Sequence, residues 1–89
     1  MEKSSMKEII LDGNMLLNKE TAHDYLKKML ELPEYYGENL DALYDCLTEL
    51  QDVEITIYAK QQENIYFNRM IRVFKEAAKE NDKIIVNIA

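Results

Sequence analysis

The amino-acid sequence predicts an α/β protein, a small three-stranded parallel sheet packed with three to four helices. Short apolar segments, too brief for helices, occur at Ile9 to Leu11, Val53 to Ala59 and Ile84 to Ile88. Between them the apolar residues recur at spacings of three and four, the period of one helical face. The resulting order is strand, helix, helix, strand, helix, strand. Strands separated by helices pair in parallel through right-handed crossovers. At 89 residues, 47% hydrophobic and 31% charged, the chain has room for one core, so residues 1–89 are read as a single domain.

The first strand, Ile9-Ile10-Leu11, is closed by Asp12-Gly13, a turn signal. Asn18 or Thr21 can cap the helix that follows, in which Ala22, Tyr25, Leu26, Met29 and Leu30 form the apolar face. Pro33 is expected to end it, because the residue before a proline is pushed out of the helical region. Glu34 to Glu38 is a loop in which Tyr36 is expected inward and Tyr35 outward. Gly37 can take φ > 0 and turn the chain into the next helix. Asn39 is a good N-cap for that helix, with Leu40, Leu43, Leu47 and Leu50 as its buried stripe. Val53 to Ala59 alternates like a strand, and Lys60 to Asn64 reads as a turn or short helical piece. The last helix puts Phe67, Met70, Ile71, Phe74, Ala77 and Ala78 inward and breaks at Asn81-Asp82 before the final strand. The polar residues Met1 to Ser5 are expected to fray.

Charge is unevenly spread. Between Met29 and Ala59 there is no Lys or Arg, yet there are eight acids, so this window carries −8 of a whole-chain −6 and the rest carries +2. A pI near 4.7 argues against nucleic acid or an anionic membrane as the direct partner. No apolar run approaches the roughly 18 residues of a membrane span, and the polar start lacks a signal-peptide core. One cysteine, Cys46, cannot form an internal disulfide, which fits a reducing cytoplasm. The expected location is therefore cytoplasmic.

On a helical wheel of residues 38–50, Glu38, Asp41, Asp45 and Glu49 oppose the leucine stripe, and Tyr44 and Thr48 flank the acids. Solvated helix faces usually mix signs, since Glu and Lys four apart stabilise a helix by about 0.2–0.5 kcal/mol and like charges cost as much. Asp41 lies in the first turn, where the helix dipole favours an anion, but Asp45 and Glu49 lie beyond its reach. An acidic face beside an aromatic residue suggests a basic protein partner. Catalysis is not expected: His23, read as a surface residue, and Cys46, read as partly buried packing, sit in no triad motif. Carboxylates along one helix do not wrap a cation, so neither metal nor cofactor is expected. Tyr25, Tyr58 and Tyr66 read as core-edge residues.

The segment Leu32 to Thr48, LPEYYGENLDALYDCLT, closely resembles the central segment of the barstar family, intracellular inhibitors of secreted ribonucleases. Val73-Phe74-Lys75-Glu76-Ala77 resembles that family's last helix, and the element order matches along most of the chain. The resemblance implies a barstar-like fold and an inhibitor that covers a nuclease active site without doing chemistry. Carried over by motif, Tyr35 would enter the cleft, and Gly37, Asn39 and Leu40 would line the contact. Asp41 and Asp45 would meet the enzyme's cations, with Asp45 in a phosphate subsite. Thr48 would sit at the rim and Glu76 would reach a further basic residue. Tyr44 belongs to this surface but stands where the family is expected to carry Trp; Glu49 replaces an expected Gly and Leu50 an aromatic. The stretch Lys60 to Met70 is several residues short, which puts in doubt the short helix before the last one. The implied partner is a secreted basic ribonuclease of the barnase type, met by a monomer. The alternative is a non-enzymatic subunit docking another basic protein, or a mimic that blocks a nucleic-acid-binding protein.

Overall fold

The computed structural model describes residues 6–59 and 64–89. Three strands, β1 (Lys7–Asp12), β2 (Val53–Tyr58) and β3 (Ile84–Ile88), form one sheet of order β1-β2-β3. Both pairings are parallel; Ile9 lies opposite Ile55, which lies opposite Val86. Three α-helices, α1 (Lys19–Met29), α2 (Leu40–Glu49) and α3 (Ile65–Glu80), and a 3-10 turn over Gly13–Leu16 complete the order read from the sequence. The expectations for residues 1–5, and for a turn or short helix over residues 60–63, lie outside the described residues.

A sequential strand order with right-handed crossovers sends both connections over the same side of the sheet. Burial agrees. Ile9, Leu11, Val53, Ile55, Ile57 and Ile84 point to the helices and are buried. The opposite face carries Glu8, Ile10, Glu54, Thr56, Tyr58, Ile85 and Asn87, none of them buried. There Asn87 Nδ2 donates to Glu54 at 2.8 Å and to Thr56 at 3.4 Å. Parallel sheets are usually covered on both faces and read as unbroken apolar runs. Among the described residues this one is covered on one face only, hence the alternation in β2. Tyr58 therefore lies on the open face, 55% exposed, and not at the core edge as expected.

Local chemistry explains the element ends. Asp12 caps the 3-10 turn by accepting from the Asn14 amide at 2.9 Å, and its own amide donates to the Tyr25 hydroxyl at 2.9 Å. Gly13 is needed for close approach: a Cβ there would sit 2.6 Å from the Tyr58 carbonyl oxygen. Asn18, not Thr21, caps α1, accepting from the Thr21 amide at 3.0 Å.

Two expectations for the end of α1 are corrected. The helix stops at Met29, and Glu31 takes a left-handed φ of 53°, so that the Leu32 amide donates back to the Lys27 carbonyl at 3.0 Å. This self-closing C-cap ends the helix before the constraint from Pro33 applies. Met29, expected inward, is 38% exposed, and the buried face runs instead through Ala22, His23 and Leu26 to Leu30. On α3 the inward residues are Phe67, Met70, Phe74 and Ala77, with Ile71 and Ala78 half-buried beside them.

Candidate functional site: an acidic helix and the tyrosine loop before it

Leu43 and Leu47, both fully buried, hold α2 against the core, with Leu40 and Leu50 half-buried at its ends. Burying two leucines contributes about 1.5–3 kcal/mol each. Once that stripe is fixed, the helical period dictates what faces out. Asp41, Asp45 and Glu49 are all exposed, one turn apart, and Tyr44 and Thr48 flank them half-buried. The Thr48 hydroxyl donates to the Asp45 carbonyl at 2.8 Å, so it is held along the helix. Three side-chain ion pairs occur among the described residues, Lys7–Glu31, Lys27–Glu34 and Lys28–Asp24, and none involves Glu38, Asp41, Asp45 or Glu49.

The N-terminus of α2 is built by Asn39. Its Oδ1 accepts from the Ala42 amide at 2.7 Å and its Nδ2 donates to the Gly37 carbonyl at 3.3 Å. One side chain thus caps the helix and ties back the loop. The sharp entry expected at Gly37 occurs one residue later: Glu38 has φ 56°, while Gly37 is not left-handed. For a residue with a Cβ this conformation costs about 1–2 kcal/mol. The gain from the Asn39 cap and from burying Tyr36 offsets it.

Tyr36 is 5% exposed and Tyr35 is 84% exposed, the inward and outward pair expected. The Tyr36 amide donates to the Pro33 carbonyl at 3.0 Å, which makes the segment a tight turn. Tyr35, Tyr36, Gly37, Asp45 and Glu49 line a shallow concavity of about 280 Å³. Tyr35 and Glu49 also line its neighbour. The structure therefore brings Tyr35, Gly37 and Asp45 together, with Asn39, Leu40, Asp41, Tyr44 and Thr48 on the same loop and helix. Glu76 is exposed on α3 and lines a separate groove with Asn68, Arg72, Lys75 and Lys79.

Cys46 is half-buried between the two concavities, as partly buried packing requires. Burial, then the carboxylates of Glu49 and Asp45, push its thiol above the ordinary value. The thiol thus registers the negative field of the face.

His23 overturns its reading as a surface residue. It is fully buried, with Nδ1 2.5 Å from the Tyr36 hydroxyl and Nε2 2.5 Å from the Tyr66 hydroxyl. Burial lowers its pKa; Glu38 acts the other way and Lys19 adds to the lowering. Burial likewise raises the phenols of Tyr36 and Tyr66. The sequence holds a signal, because His23 continues the spacing to Leu26 and Leu30, but residue type alone points a histidine outward. For Asn81 the sequence shows only a helix breaker. It is buried, its Nδ2 donates to the Leu47 and Leu50 carbonyls at 3.0 and 2.8 Å, and its Oδ1 accepts from the Lys83 amide. It satisfies the open end of α2.

Residues 6–88 match the family model for barstar, described as the barnase inhibitor. The chain belongs to the barstar family. It is also 42% identical over 81 residues to the Bacillus subtilis (strain 168) protein named "Putative ribonuclease inhibitor YrdF", a match that covers 84% of this chain and 89% of that one. The three-stranded parallel sheet packed with helices is the fold expected from the barstar resemblance. No helix among the described residues is long and apolar enough to cross a membrane.

Proposed function

We propose that this protein inhibits a basic ribonuclease by covering its active site with α2 and the Tyr35–Asn39 loop. One observation carries the reading beyond family membership. Asp41, Asp45 and Glu49 face outward beside an exposed tyrosine, and no described cation pairs with them. Enzymes that cleave phosphodiesters hold cations ready for a phosphate group. A carboxylate placed there satisfies those cations through charge-assisted hydrogen bonds and offers no bond to cleave. Asp45, midway along the helix and lining the concavity with Tyr35, is the carboxylate assigned to that subsite. Asp41 meets a neighbouring cation, Tyr35 supplies the aromatic anchor, and Gly37, Asn39, Leu40, Tyr44 and Thr48 surround them. Glu76 extends the contact from α3. The partner is a secreted ribonuclease of the barnase type, and the inhibitor meets it as a cytoplasmic monomer.

An inhibition assay against such an enzyme tests this, with Asp45→Ala and Glu54→Ala compared with the wild type. Glu54 lies on the open sheet face, bonded to Asn87. The wild type and Glu54→Ala should inhibit alike and Asp45→Ala should fail. Absence of inhibition at micromolar wild-type protein would overturn the inhibitor reading for that enzyme. Equal loss in both variants would overturn the assignment of the face.

A further inference from the structure

We propose that Tyr66, His23 and Tyr36 form a positioning relay through which the first turn of α3 sets the shape of the loop that presents Tyr35. The inference rests on the reading above only in taking this loop to be the one that meets the partner. Tyr35 is 84% exposed, so its direction is inherited from the backbone beside it. That backbone includes a left-handed Glu38 and is tied inward by the side chain of Tyr36. Tyr36 in turn bonds to His23 of α1, and His23 bonds to Tyr66 of α3. Three segments far apart in sequence meet at one buried imidazole.

The relay has a direction. A neutral imidazole has one donor nitrogen and one acceptor nitrogen. Tyr36 is buried and its hydroxyl lies against His23 Nδ1, so its O–H donates to that nitrogen. The ring proton then sits on Nε2 and is donated to the Tyr66 oxygen. Tyr66 is only half-buried and can send its own O–H to solvent. The opposite tautomer would leave the Tyr36 proton buried without an acceptor, a costly arrangement. Protonating His23 has the same effect, because Nδ1 becomes a donor and the Tyr36 O–H must turn away. The charged groups acting on the ring are Lys19 of α1 and Glu38 of the loop; from α3 it faces the Tyr66 phenol. Because burial favours the neutral ring in the closed loop, opening the loop allows proton uptake. Protection should therefore be full above the ordinary histidine value of about 6.5 and decline as pH falls below it.

Amide hydrogen exchange of the free protein tests the relay without any nuclease. The Tyr36 amide, bonded to the Pro33 carbonyl, reports the loop, and the β2 amides report the core. Tyr66→Phe removes one hydroxyl and leaves His23 in place. It should lower the Tyr36 protection factor about tenfold at pH 7 and leave β2 protection unchanged. In the wild type the Tyr36 protection factor should fall between pH 7 and pH 5.5. His23→Gln keeps a donor and an acceptor and should abolish that fall. Unchanged loop protection in Tyr66→Phe, or an unchanged pH response in His23→Gln, would overturn the relay. Failure to inhibit any ribonuclease would instead sink the proposed function and leave these exchange results standing.

Discussion

The helices α1 and α2 have similar lengths, yet they treat charge and chain ends in opposite ways. On and just beyond α1 each of three acids has a lysine: Asp24 with Lys28 at 3.4 Å, Glu31 with Lys7 at 3.2 Å and Glu34 with Lys27 at 3.8 Å. Along α2, Asp41, Asp45 and Glu49 follow one another with no described cation beside them. The ends differ too. Helix α1 closes itself through the left-handed Glu31, whereas α2 has its last carbonyls satisfied from outside, by Asn81. Exposed ion pairs stabilise by roughly 0–1 kcal/mol, so pairing on α1 contributes little and its absence on α2 costs little. What the absence does is leave a continuous anionic surface on a helix pinned at both ends. Under the proposed function that combination would suit recognition, because a basic partner's cations would meet carboxylates that need not first be freed or ordered.

The largest expected break in this comparison is in binding. Asp45→Ala should weaken a barnase-type complex by at least about 2 kcal/mol, measured from association and dissociation rates. Asp24→Ala on α1 should change it by less than about 0.5 kcal/mol. Similar losses would mean that overall charge, and not the α2 face, governs binding. Next in size is the borrowed C-cap. Asn81→Ala removes the donor to the Leu50 carbonyl, leaves the Leu47 carbonyl only the Leu50 amide at 3.3 Å, and should cost about 1–3 kcal/mol in urea unfolding. Glu31→Gly, which relieves the left-handed strain at the end of α1, should stabilise by about 1 kcal/mol.

A smaller effect reads the field directly. The Cys46 thiol is raised by burial and by Glu49 and Asp45. Glu49→Lys should therefore increase the thiolate fraction at pH 8 and speed alkylation severalfold. An unchanged rate would remove Glu49 from the causes of the shift. The smallest effect is on the helix itself. Glu49→Lys gives Asp45 the kind of partner that Asp24 has, and should stabilise by about 0.2–0.5 kcal/mol while slowing association at low salt. A gain in stability with no loss of association rate would argue against steering by this face.

The geometry of the proposed face is legible where one helical period settles it. A leucine stripe on α2 forces Asp41, Asp45 and Glu49 to the other side, and Asn39 before an apolar run marks the cap. Tyr35 and Tyr36 followed from adjacency alone, since neighbours in a tight loop cannot both turn inward. The left-handed residue was misplaced at Gly37 because residue type suggested it, whereas the Asn39 cap and the burial of Tyr36 impose it on Glu38. His23 and Asn81 were misread for a related reason. Each is a polar residue whose partners lie on other elements: Tyr36 and Tyr66 for His23, Leu47 and Leu50 for Asn81.

Local pattern determined the elements, their order and the acidic face, because helical and strand periods act over a few residues. Only tertiary packing decided that the sheet is covered on one side, that Asn81 closes α2 and that His23 joins three segments. Those outcomes depend on which buried polar groups find partners once distant parts of the chain meet, and in low-dielectric surroundings an unmet partner is too costly to leave.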